Sequence, residues 1–324
     1  MKALVKFIFV VLLIAAACVG YAAYWPIGPT TEQFVMLRPG SSARKIARDL
    51  KAAGMIRSET GFLLLHAWKA RSLKAGEYRF DHPANVREVY DRIARGDIVV
   101  HSVTIPEGYN IFEVAAAMEA AGLGKRADFL QIARDPALVK DIDPQAQTLE
   151  GYLFPDTYEF TRTQTLRDMA GVMVHRFRQA AQQLGMTSDY HRAVTMASII
   201  EKESAIPDER PLVSSVYYNR LQKSVQLAAD PTVVYASVLI GKYDGVIHQS
   251  DLALDSPYNT YKYAGLPPGP IANPGRTALA AALHPADTNY LYFVADPANP
   301  GHHHFAATAA EHARNVAAYR KSGH

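Results

Sequence analysis

Glu203 is the side chain best placed to do chemistry. In the run Met196-Ala197-Ser198-Ile199-Ile200-Glu201-Lys202-Glu203-Ser204, Met196, Ile199, Ile200 and Glu203 fall at i, i+3, i+4 and i+7. A carboxyl therefore shares one helix stripe with three apolar side chains. Burial there disfavours the charged form and raises the pKa, as a general acid working near neutral pH requires. Glu201, two positions back, lies about 200° around the helix, with Val194, Ala197 and Ser198. The two carboxyls do not converge on one substrate atom, which argues against a paired-carboxylate glycosidase built from them. A glutamate near a helix end is also commonly solvated, with Lys202 balancing its charge, and that reading stands beside the catalytic one.

Downstream, Asp230-Pro231-Thr232 and Ser256-Pro257-Tyr258-Asn259-Thr260-Tyr261 are polar, aromatic turns. They lead into Gly265-Leu266-Pro267-Pro268-Gly269-Pro270-Ile271-Ala272-Asn273-Pro274-Gly275. Proline and glycine hold such a segment in shape through backbone restraint. Rigid loops that present Tyr and Asn suit a sugar groove, where rings stack and amides bond hydroxyls; the same residues also make plain structural turns. His302-His303-His304 has no acidic or histidine partner at helical i+4 spacing, and three adjacent histidines in a strand do not face one ion, so neither a metal nor a cofactor is expected. The chain has no Walker A loop, no dinucleotide fingerprint after a strand and no G-x-S-x-G elbow.

The elements that must position these groups read as α+β. Helices are expected at 166–184, 190–205 and 209–222, a strand at 290–294 and a closing helix at 308–320. There are too few interleaved strands for a doubly wound sheet. The segment from Leu149 to Tyr158 reads as a turn-rich aromatic stretch. Nearer the N-terminus the chain repeats itself: Val35–Gly40 aligns with Val103–Gly108, and Ile46, Ala47, Leu50, Ala53 and Gly54 fall on Val114, Ala115, Met118, Ala121 and Gly122. Each copy reads as a strand, a Pro/Gly turn and an amphipathic helix closed by glycine. A related unit lies between them, with a strand at 76–80 and a helix at 86–94 before Gly96. Such β-α units suit a binding or spacing module, or a plain scaffold.

Phe7 to Trp25 is uncharged, with Lys2 and Lys6 before it and Tyr21, Tyr24 and Trp25 at its far end. At helical rise this is about the thickness of a hydrocarbon core. It predicts a single transmembrane helix with the N-terminus in the cytoplasm and residues 26 onward outside. A cleaved signal at Ala15-Ala16-Ala17 and a lipid-bearing Cys18 are the competing readings. Cys18 is the only cysteine, which excludes a disulfide framework and a cysteine-rich zinc module. The 34 Lys and Arg against 31 Asp and Glu leave a net charge of +3 without a basic stripe, which excludes a dedicated nucleic-acid binder.

Laid end to end, the motifs resemble the endolytic murein transglycosylases, also called the YceG-like family. The matching stretches are LEGYLFPDTY (149–158), MASIIEKES (196–204), VYYNRL (216–221), ADPTVVYA (229–236), SPYNTYKYAGLPPGPIANPG (256–275), ALHPADTNYLYFVAD (282–296) and HHF (303–305). The resemblance spans almost the whole chain. It implies a cytoplasmic tip at 1–6, a transmembrane anchor at 7–25, a LysM-like α/β binding region at 26–126 and a mostly helical α+β catalytic domain at 127–324. It further implies a single-pass protein of the bacterial inner membrane, with the catalytic domain in the periplasm, cutting nascent glycan strands internally at the MurNAc-GlcNAc bond. Strand elongation would be limited in this way.

By that resemblance Glu203 is catalytic. It protonates the glycosidic oxygen and then draws the proton from the muramyl C6 hydroxyl, closing a 1,6-anhydro ring without water. Glu150, Tyr158, Asn219, Asp230, Tyr258, Asn259, the 266–273 loop from Leu266 to Asn273, and His303 are expected to line the groove. Where the family often shows His-Thr-Phe the chain has His303-His304-Phe305, so His303 keeps its match and His304 does not. Peptidoglycan strands are the expected partner, with peptidoglycan synthases as candidates. A non-catalytic peptidoglycan-binding scaffold and a hydrolytic muramidase are the alternative functions.

Overall fold

In a computed structural model of the chain, residues 2–322 are described, and they divide into two compact units. The first comprises residues 1–101 and 159–165, the second 102–158 and 166–324. The first unit contains α1 (Lys2–Tyr24), β1 (Gln33–Leu37), α2 (Ala43–Ala52), α3 (Glu59–Lys69), β2 (Gly76–Phe80) and α4 (Val86–Arg95). β1 and β2 pair antiparallel, with Val35 opposite Tyr78 and Leu37 opposite Gly76. Their inward side chains meet the apolar stripes of the helices in a core that includes Leu37, Ile46, Leu50, Phe62, Tyr78 and Tyr90. Ser42 caps α2 by accepting from Lys45 N, and Asn85 with Glu88 forms a reciprocal capping box on α4. The buried Glu77 carboxylate is satisfied by His101 Nε2 and Arg162 Nη1, each at 2.7 Å, which fastens the 159–165 segment to this unit.

The N-terminal expectation is corrected here. Among the described residues no helix is long and apolar enough to cross a membrane. The transmembrane helix at 7–25, the single-pass inner-membrane placement and the cytoplasmic-to-periplasmic orientation are set aside on that finding.

The second unit opens at Ser102, within β3 (His101–Ile105), and goes on to α5 (Ile111–Ala120), the second copy of the repeat. It continues through α6 (Arg126–Ala133), β4 (Asp156–Phe160), α7 (Leu166–Gln183), α8 (Tyr190–Glu203), α9 (Arg210–Gln222) and α10 (Asp230–Leu239). α11 (Arg276–Leu283), β5 (Tyr292–Ala295), β6 (His303–Ala306) and α12 (Ala309–Lys321) complete it. β3 pairs with β4, and β5 pairs antiparallel with β6, Val294 lying opposite His304. α8 is the central helix: its residues 193–200 are all buried, and α9, α10 and α11 pack around it.

Candidate active site

α8 ends at Glu203 because Ser204 turns to extended backbone and Pro207 follows shortly after. The last side chain of the stripe therefore emerges half-buried at the helix end, beyond the fully buried Met196, Ile199 and Ile200. It opens on a groove of about 590 Å³. One wall is α5, with Asn110, Phe112, Glu113 and Ala116; the other is α10, with Asp230, Pro231, Val234, Tyr235 and Val238. Lys202, Ile271, Gly108, Arg126, Tyr243 and Ile247 complete the lining.

Tyr217, fully buried on α9, donates its hydroxyl to Glu203 Oε1 at 2.6 Å. Burial pushes the Glu203 carboxyl up to about 7, Tyr217 opposes that shift, the charge of Asp230 adds to it and that of Arg220 subtracts from it. Oε1 is occupied by Tyr217, so Oε2 is the atom left to carry a transferable proton. The Tyr217 phenol is itself kept protonated by burial and by the adjacent carboxyl. Phe293 packs edge-on against its ring at 6.0 Å and fixes the direction of the hydroxyl.

Glu201 points elsewhere, as its helical position requires. Its two oxygens take the Arg210 Nη1 and Nη2 groups at 3.2 and 2.7 Å, and Oε2 also accepts from Gly275 N at 2.9 Å. This buried bidentate pair ties the end of α8 to the starts of α9 and α11 and is structural.

Of the residues expected to line the groove, the structure brings Asp230 to Glu203. Asp230 opens α10, with Pro231 in its first turn, and accepts from the Tyr261 hydroxyl at 2.6 Å. Two others act from beneath the walls. Glu150 is 2% exposed; its Oε2 accepts from Ile111 N at 3.0 Å and from the Tyr235 hydroxyl at 2.9 Å, and its Oε1 from Asn273 Nδ2 at 3.2 Å. Burial pushes this carboxyl up to about 8 against those donors. Asn273, fully buried, also accepts from Leu153 N and donates to Tyr109 O, so the 265–275 loop and the 149–158 segment are knitted together under α5 and α10. Gly151 permits the approach: its φ of +87° suits glycine, and a Cβ there would stand 2.6 Å from both Pro270 Cγ and Val194 Cγ1.

The remaining residues lie outside the groove. Tyr258 packs against Tyr235 at 5.0 Å between ring centroids, behind that wall. The buried Tyr158 donates its hydroxyl to Phe154 O. Asn259 donates to Leu252 O and Leu254 O inside its own loop, and Asn219 donates to Thr288 O and Tyr290 O. Leu266 lines a separate shallow depression with Arg192 and Tyr218. His303 and His302 both bond Glu209, through Nδ1 at 2.8 and 3.0 Å, and His304 pairs with Asp296. Burial would raise Glu209, but these histidine bonds hold it below the usual carboxylate range. Among the described residues no group of three or more His, Cys, Asp or Glu is placed to hold a metal ion.

Sequence reasoning missed Tyr217, Tyr235 and Phe112 as parts of the site. Tyr217 lies inside the VYYNRL stretch, but its aim at Glu203 depends on how α9 packs on α8, which has no local signature.

Residues 35–318 match the model of the YceG-like family. A Bacillus subtilis (strain 168) protein named endolytic murein transglycosylase is 34% identical over 278 residues, covering 79% of this chain and 76% of that protein. A protein of the same name from Streptococcus pneumoniae serotype 2 is 28% identical, covering 97% of this chain, which spans 64% of that protein's length. A 2.6 Å crystal structure of a YceG-like protein from Listeria monocytogenes superposes with a TM-score of 0.57 at 33% identity, covering 88% of this chain and 99% of that one. The chain belongs to the YceG-like family.

Proposed function

We propose that the chain is an endolytic lytic transglycosylase that cuts peptidoglycan glycan strands at the MurNAc-GlcNAc bond, with Glu203 as its acid and base. The observation that carries this is a carboxyl raised to about 7, held through one oxygen by Tyr217 and with no other partner among the described residues, lining a groove of about 590 Å³. The names of the bacillary and streptococcal relatives support the same reading.

In the forward step Glu203 Oε2 gives its proton to the glycosidic oxygen as the bond to muramyl C1 breaks. The carboxylate then takes the proton of the C6 hydroxyl while O6 bonds to C1, which closes the 1,6-anhydro ring and restores the acid. The proton taken from the C6 hydroxyl replaces the one that left with the leaving-group oxygen, and no water is consumed. Tyr217 stabilises the carboxylate between the two transfers. Phe112 offers a ring for the sugars, and Glu150 and Asn273 position the walls without touching substrate.

α5 and Arg126 precede residue 127 yet line the groove, so we draw the catalytic unit from Ser102 onward and read the first unit as the LysM-like glycan-binding part. Contact with peptidoglycan synthases belongs to the same proposal.

Hydrolysis as a muramidase is the second reading. Asp230 favours it, since a second carboxylate shares the groove with Glu203 and could activate water. Digestion of purified peptidoglycan by the full chain, read by mass spectrometry, decides between them. Strand ends one water lighter than hydrolysed ends are expected; hydrated ends establish the muramidase, and binding without cleavage leaves a scaffold.

A further inference from the structure

The charges in the groove are not equally engaged. Each carboxyl there already has a donor: Glu203 accepts from Tyr217, Asp230 from Tyr261, and Glu113 from Asn110 N in the capping box of α5. The two cations differ. Among the described residues the exposed Arg126 guanidinium has no ion-pair partner, whereas Arg167, Arg176 and Arg178 in the same unit are paired with Asp135, Asp156 and Asp141. The exposed Lys202 Nζ reaches only Gly108 O, at 3.3 Å.

Unpaired cations lining a groove that takes a neutral sugar backbone are available to a charged part of the substrate. The rings of peptidoglycan carry no charge; its carboxylates sit on the lactyl arm at C3 of the muramyl residue, either as the free lactyl acid or along the stem peptide attached to it. A guanidinium offers paired donors to a carboxylate, and an ammonium adds a point charge. We propose that Arg126, assisted by Lys202, binds a carboxylate carried on the lactyl arm and makes the enzyme favour strands that bear it. This rests on the transglycosylase reading above.

The test compares the full chain with Arg126→Gln and Arg126→Lys on three substrates. These are strands with intact stems, strands whose stem carboxylates are amidated, and strands stripped of stems by an amidase so that the lactyl acid is free. The expected result is a preference of the wild type for intact over amidated strands, in KM more than kcat, that falls about tenfold in Arg126→Gln and is largely restored in Arg126→Lys. A matching loss on stripped strands shows that Arg126 also takes the free lactyl acid, and no loss there confines the contact to the stem carboxylates. Equal losses on intact and amidated strands, or no loss on either, overturn the proposal. If the wild type cuts none of the three, the transglycosylase reading fails instead. The carboxylate contact is then read by co-sedimentation of intact and amidated strands with Glu203→Gln, with and without Arg126→Gln: a weakening confined to intact strands supports it, and unchanged binding overturns it.

Discussion

The Tyr217 hydroxyl lies 2.6 Å from Glu203 Oε1, and the two residues come from helices that meet only in the folded unit. This one hydrogen bond fixes which oxygen of Glu203 works, and it sets the carboxyl's pKa against the larger effect of burial.

Tyr217→Phe removes a donor that favours the carboxylate, so the Glu203 pKa rises above about 7. The protonated form starts the reaction, and kcat/KM of the wild type therefore falls as pH rises through about 7. In Tyr217→Phe that alkaline limb moves to higher pH while the plateau drops by about tenfold, the worth of one hydrogen bond to a charged group. A pH series of kcat/KM checks both; a limb moved to lower pH would contradict the assignment.

Glu203→Gln is expected to stabilise the protein while abolishing activity. At low pH the carboxyl is protonated in both folded and unfolded chains. As pH rises past the ordinary carboxylate value the unfolded chain releases its proton while the folded chain keeps it until about 7, so the wild type loses stability across that window and no further beyond it. The advantage of Glu203→Gln grows from about pH 4.5 and levels off above 7, reaching up to about 3 kcal/mol. Urea titrations at several pH values measure it.

Glu150 supports the site from beneath. Glu150→Ala strands Ile111 N–H, the Tyr235 hydroxyl and the Asn273 amide in the interior, at a cost of about 3–5 kcal/mol. Glu150→Gln keeps one acceptor oxygen and costs roughly half as much. Thermal melts separate the two variants.

Gly151→Ala combines a left-handed backbone with a Cβ driven into Pro270 and Val194. The two penalties together come to about 2–4 kcal/mol. Both the melting temperature and the groove-dependent activity fall, because the 265–275 loop is displaced from the groove.

The parts of this protein that were legible in the sequence are those governed by local periodicity. α4, α7, α8, α9 and α12 stand within about two residues of their expected bounds, since each was read from helical spacing along a continuous segment. The glycines expected to close the repeat helices, Gly54, Gly96 and Gly122, all have positive φ. α10 was hidden because Asp230-Pro231-Thr232 reads as a turn, although proline in a first turn equally opens a helix. β4 and β6 were hidden because short paired strands are defined by partners distant in sequence. At the site, the stripe pointed to Glu203 and away from Glu201, which instead pairs with Arg210. The groove-lining expectation for Asn219, Asn259 and Asn273 did not foresee that their amides saturate themselves on backbone carbonyls. The N-terminal anchor rested on counting uncharged residues, and the correction came from the described structure.

The most direct measurement sets Glu203→Gln beside Asp230→Asn on one purified peptidoglycan, with strand ends identified by mass. With Glu203 as acid and base and O6 as nucleophile, Glu203→Gln loses at least about a hundredfold in rate, while Asp230→Asn still yields anhydro ends. Anhydro ends released by Glu203→Gln at the wild-type rate would contradict the assignment.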